Sequence, residues 1–245
     1  MNDTASRIRG LPAGQRMRGA LTEFALIVCG ILAALAVNAW WQEHLDRARE
    51  QQYMEQLNSD VRDNQRRLEE ALALERGQLQ RATAILSALR ANVPFSENSA
   101  TALMTAEPPF PWFSDPRLLD GTIVALVATG DINLIRDDRV RVAAIRYQGQ
   151  LRADLAEFGR KIGPFQELEG ALNRLLELKR EADADPDADD LARALVALQG
   201  NPEAAVVFRL FRMNIENRMW YLSQMLDATK AFLGILESGG ETGKI

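Results

Sequence analysis

One histidine, one cysteine and 34 acidic residues are the groups with which this 245-residue chain could do chemistry. His44 has no second imidazole with which to hold a metal, and it supports no Ser-His-Asp set. It lies just past an apolar run and reads as an interfacial or solvated side chain. Cys29 sits inside that run and has no second cysteine to bond. There is no Gly-rich phosphate loop, no HExxH and no CxxC. The carboxylates are scattered along polar helix faces, and nothing picks out an acid–base pair. The run DADPDADD, residues 183–190, invites a calcium-loop reading that fails. Ala188 stands where the sharp-turn glycine is needed, Pro186 stiffens the loop, and Ala194 replaces the bidentate glutamate. It reads as a solvated acidic linker. The expectation is no catalytic, cofactor-binding or metal-binding residue, and no enzyme. The net charge of -5 argues against a nucleic-acid partner, which would need a basic face.

The informative chemistry is that of the run itself. From Phe24 to Trp41 the chain reads FALIVCGILAALAVNAWW, without a charge. As a helix this stretch is roughly 27 Å long, close to the hydrocarbon thickness of a bilayer. The residues expected to meet lipid are Phe24, Ile27, Val28, Ile31, Leu32, Leu35, Val37, Trp40 and Trp41, the tryptophans at the headgroup level. Glu23 and Asn38, at the ends of the run, are candidate intramembrane polar contacts, with hydration at the interface as the alternative. Gly30 and Ala34 have the small-xxx-small spacing that permits close helix packing. A cleaved signal peptide competes with an anchor, with Val37-Asn38-Ala39 as a loose cleavage site. Trp40 and Trp41 just past the cut, and the lack of a Gly or Pro before it, favour the anchor. Arg7, Arg9, Arg16 and Arg18 precede the run, whereas only Arg47 and Arg49 follow it closely, among acids. The positive-inside rule then places residues 1–20 in the cytoplasm and the bulk of the chain in the periplasm of a bacterial inner membrane.

Behind the expected span, 21–41, residues 42–237 read as an all-α domain. A helix over 42–92 carries an apolar stripe at Met54, Leu57, Val61, Leu68, Leu72, Leu79, Leu86 and Leu89. Its heptad pattern breaks around Asn64 and Glu75, which favours a bundle helix over an isolated coiled coil. Residues 92–117 contain five prolines and read as a loop, with Phe110, Trp112 and Phe113 on a stiff segment that either docks a partner or plugs the bundle. A short helix, Leu118 to Thr129, ends at Gly130. Asp137 or Asp138 caps a helix to about Arg160. Gly163-Pro164 interrupts the chain before a helix over 165–181. A short helix covers 190–198. Asn201 and Pro202 start the last one, to about residue 237, with its own stripe from Phe208 to Leu236. Residues 238–245 read as a flexible tail.

Two segments resemble a family of uncharacterised bacterial single-span membrane proteins, grouped as a domain of unknown function. The first is TEFALIVCGILAALAVNAWWQEHLDRARE, residues 22–50, where Glu23, Gly30-Ile31, Asn38 and Trp40 or Trp41 match the family's pattern. The second is ALVATGDINLIRDDRVRVAAIRYQ, residues 125–148. Ala39 between Asn38 and Trp40, and the single Tyr147 where a pair is usual, depart from it. The resemblance implies a membrane location and no activity.

These observations together lead to an N-terminal transmembrane helix that continues into an elongated helical bundle. The expected partners are the lipid bilayer and other membrane or envelope proteins, or a second copy. The expected role is an interaction or scaffold module. A periplasmic ligand-binding or sensor-like domain is the alternative.

Overall fold

The computed structural model describes residues 13–91, 96–105, 115–160, 162–175 and 188–241, and among these there are helices and no strands. The expected all-α class holds. The first helix, α1, runs from Ala13 to Arg90 without a break, through both the apolar run and the amphipathic stripe. Neither segment contains a proline, and its one interior glycine past the run, Gly77, has open space where a side chain would lie. Arg16 and Arg18 lie in α1, while Arg7 and Arg9 fall outside the described residues.

The chain divides into two units, residues 1–52 and 53–245. The second holds α2 (Glu97–Thr105), α3 (Gly121–Thr129), a 3-10 turn (Asp131–Leu134), α4 (Asp138–Arg160), α5 (Ile162–Leu175), α6 (Ala188–Ala197) and α7 (Pro202–Glu241). Several boundaries follow from local chemistry. Gly130 takes φ 80°, a left-handed conformation that a side chain disfavours, and closes α3. Of the two candidate caps for α4 it is Asp137 that acts: its Oδ1 accepts from the Arg139 N–H at 2.8 Å. Asn201 Oδ1 accepts from the N–H groups of Glu203 and Ala204, and Pro202 occupies the first position of α7, where a missing N–H costs nothing. The end of α1 is closed from afar, by the Gly200 N–H on the Leu89 carbonyl and the Gln199 amide on that of Ala91.

Three expectations need correction. Residues 92–117 are not loop throughout, because α2 forms within them. Its sequence ENSATALMT contains no proline, the prolines lying on either side, and Ser96 Oγ accepts from the Ser99 N–H in its first turn. Gly163-Pro164 does not interrupt the chain between helices but lies in the first turn of α5, where proline is tolerated. Residues 238–241 belong to α7 rather than to a flexible tail. A Cβ on Gly239 would lie 3.0 Å from Val140 and 3.2 Å from Asp137, so its bare backbone lets the end of α7 approach the start of α4. Phe110, Trp112, Phe113 and the acidic run at 183–187 lie outside the described residues.

The second unit has two apolar clusters. One joins Leu57, Val61, Leu68 and Leu72 of α1 to α3, α4 and the Leu222–Leu236 part of α7. The other joins Ala82, Ile85, Leu86 and Leu89 of α1 to α6 and the Ala204–Ile215 part of α7, with Ala100 of α2. Both stripes expected from the sequence face these clusters.

Candidate functional site

In the first unit the apolar run is exposed on every side. Phe24, Ile27, Val28, Ile31, Leu32, Leu35, Val37, Trp40 and Trp41 are all solvent-accessible, as are Glu23 and Asn38. The most apolar 18-residue window of α1 has mean hydropathy 2.1, with none of it buried. Glu23 and Asn38 stand at opposite ends of the run, about 22 Å apart along a helix axis, and form no shared site. At its far end Trp40 stacks on His44, with ring centroids 6.0 Å apart and planes 16° apart. The lone histidine thus belongs to an aromatic group with Trp40 and Trp41. Beyond it charges pair within the helix, as Arg47 Nη2 donates to Glu43 at 3.1 Å.

The second unit buries charge between α1 and α7. Arg218 is fully buried and donates to both oxygens of Glu75, from Nη2 at 2.7 Å and from Nε at 3.2 Å. Its Nη1 donates to Asn214 Oδ1 at 2.8 Å. Taking both ions out of water is costly, and the two-pronged geometry with a third acceptor offsets that cost. Gln78 and Arg81 are buried on the next turn of α1. A second polar layer surrounds Asn64. Its side chain closes a pair of hydrogen bonds with the backbone of Leu119, at 2.6 and 2.7 Å, and Nδ2 also reaches Tyr147 Oη at 3.3 Å. That hydroxyl shares a bond of 3.2 Å with Thr229. Burial pushes the Tyr147 hydroxyl above its ordinary pKa, against the opposing pull of Thr229 and Asn64. Nearby, Thr122 donates to Asp60, and Tyr53 donates to Asp131 at 2.8 Å.

Sequence reasoning missed these layers. Carboxylates were expected on solvated faces, yet Glu75 and Asp154 are buried. Asn64 and Glu75 were read as breaks in the heptad pattern. They instead occupy the stripe itself, three residues after Val61 and Leu72. That spacing was the available signal: a polar residue in an apolar register calls for a buried partner. The Glu75 and Arg218 side chains are sealed from solvent. Their capacity is to hold helices together.

One surface groove lies between α5 and α7. It encloses about 370 Å³ and is lined by Pro164, Glu167, Leu168, Leu210, Met213, Asn214 and Asn217. Along the same helix Val206, Leu210, Met213 and Trp220 are exposed apolar side chains. Among the described residues no group of histidine, cysteine or carboxylates has the arrangement to hold a metal ion. Comparison of the chain with family models, curated proteins and solved structures finds no match.

Proposed function

We propose that this protein is a single-span membrane protein whose helical domain serves as an interaction or scaffold module of a bacterial envelope. The carrying observation is the exposed apolar run of α1. Ten large side chains there, from Phe24 to Trp41, have no cover within the protein. Leaving such side chains in water rather than in an apolar phase costs about 1.5–3 kcal/mol each. Summed over the ten, the transfer from water to an apolar phase is worth about 15–30 kcal/mol. A bilayer removes the penalty, and the Trp40–Trp41–His44 group suits its interface. The arginine bias around the run supports a cytoplasmic N-terminus, with residues 42–237 as a periplasmic helical bundle. The resemblance of residues 22–50 and 125–148 to the single-span family points to the same membrane.

The interaction role is supported by the exposed α7 residues Val206, Leu210, Met213 and Trp220, spaced along one face of a helix. The groove beside them favours a second reading, a ligand-binding domain, because Glu167, Asn214 and Asn217 place polar groups among its apolar walls.

Fractionation of cells making the full chain tests the anchor. The protein is expected in the membrane pellet, resistant to alkaline carbonate and released by detergent. Full-length protein in the carbonate supernatant would refute the reading. C-terminal reporter fusions check the orientation, and their size on a gel shows whether the N-terminal segment is cleaved.

A further inference from the structure

An apolar stripe repeating every seven residues does not by itself fix how two helices align, because a slide of one repeat again sets apolar against apolar. Leu57, Val61, Leu68 and Leu72 of α1 face a comparable stripe on α7, so this ambiguity applies here. Polar contacts link the two helices, one of them through α4. Eleven residues separate Asn64 from Glu75 on α1, and eleven separate Thr229 from Arg218 on α7. Asn64 meets Thr229 through the Tyr147 hydroxyl, while Glu75 meets Arg218 directly. On the flank, Arg62 pairs with Glu237 at 2.8 Å and Glu69 with Lys230 at 3.0 Å. Seven residues separate the members of these pairs on each helix. Each set keeps its own antiparallel spacing, the flanking set being offset from the buried set by six residues.

We infer that the buried Glu75–Arg218 layer forms a register latch between α1 and α7, distinct from any binding role. A slide of one heptad, roughly 10 Å, would set Glu75 against Phe211 or Met225. Arg218 would then meet Ala82 or Leu68. Glu75 would lose its guanidinium and Arg218 its carboxylate, leaving two opposite charges buried apart, which the interior does not tolerate. The exposed flanking pairs follow the alignment but are too hydrated to impose it. The latch contributes uniqueness more than stability, since a well-packed apolar replacement of a buried ion pair is often neutral or stabilising.

Cysteine cross-linking of the full chain in detergent tests this, in a background carrying Cys29→Ser. A short bismaleimide is expected to join R62C to E237C and not E69C to E237C, the latter reporting a one-heptad slide. In Glu75→Met/Arg218→Met the helicity is expected to persist and the melting temperature not to fall. The slipped pair should then cross-link in severalfold higher yield. Retention of the native cross-link alone in this variant would overturn the proposal, as would loss of its helical fold. Glu75→Met alone keeps the proposal testable by a second route. It is expected to lower the melting temperature sharply, and melting at or above that of the double variant would equally overturn it.

Discussion

The two ends of α1 are one helix with two kinds of apolar surface. Between Phe24 and Trp41 apolar side chains point in every direction and all are exposed. Between Leu57 and Leu89 they form one stripe, and that stripe is buried against other helices. The difference teaches that hydrophobicity alone does not say what covers a helix, whereas its angular distribution does. A stripe fits a neighbouring protein surface, and a full girdle fits a solvent that is itself apolar. Polar residues sharpen the contrast. In the girdle they sit only at the ends, as Glu23 and Asn38. In the stripe they sit inside, as Asn64 and Glu75, where neighbouring helices supply partners.

The largest expected effect comes from equal truncations of the two surfaces. Leu68→Ala removes a fully buried side chain and is expected to destabilise the helical domain by about 2–5 kcal/mol. Leu32→Ala, in the girdle, is expected to leave that domain's denaturation unchanged. Denaturant titration followed by circular dichroism compares them, and equal losses would erase the distinction. Next, Ile31→Arg places a charge at the centre of the girdle. It is expected to cost about 3 kcal/mol of membrane insertion and to shift protein out of the carbonate-resistant pellet, without altering the helical content of residues 53–241.

The smallest effect concerns the Asn64 layer. Tyr147→Phe deletes a hydroxyl bonded to Asn64 and Thr229 and is expected to cost about 1 kcal/mol at neutral pH. Burial raises the folded-state pKa of Tyr147, so the unfolded chain releases this proton first as pH rises. The stability from this group is therefore complete below the unfolded value, near 10. It declines as pH climbs from there through the folded value. Tyr147→Phe should flatten that alkaline decline in melting temperature, and an unchanged slope would count against burial of the hydroxyl.

Local signals in the sequence were legible wherever the chemistry is local. Asp137, Asn201-Pro202 and Gly130 mark helix ends because each acts within a few residues of itself. The girdle was legible for the same reason, since its pattern is complete within one segment. What the sequence hid depends on partners far along the chain. Glu75 and Arg218 lie 143 residues apart, so one read as a break in a heptad and nothing nearby marked the other as its partner. Prolines misled in α2 and α5, because their number was weighed before their position. Between Pro94 and Pro108 there is room for a helix, and Pro164 falls where the first turn needs no N–H.

The sealed contact at Glu75 and Arg218 also constrains how the chain can vary through descent. Losing either partner leaves an ion stranded in a dry interior, at a cost of about 3–5 kcal/mol, a large share of what keeps a domain folded. Lysine is no substitute at 218, since one ammonium cannot offer the planar fork that meets Glu75 and Asn214 together. Among descendants of a common ancestor, the two sites should therefore change as a couple or stay as they are.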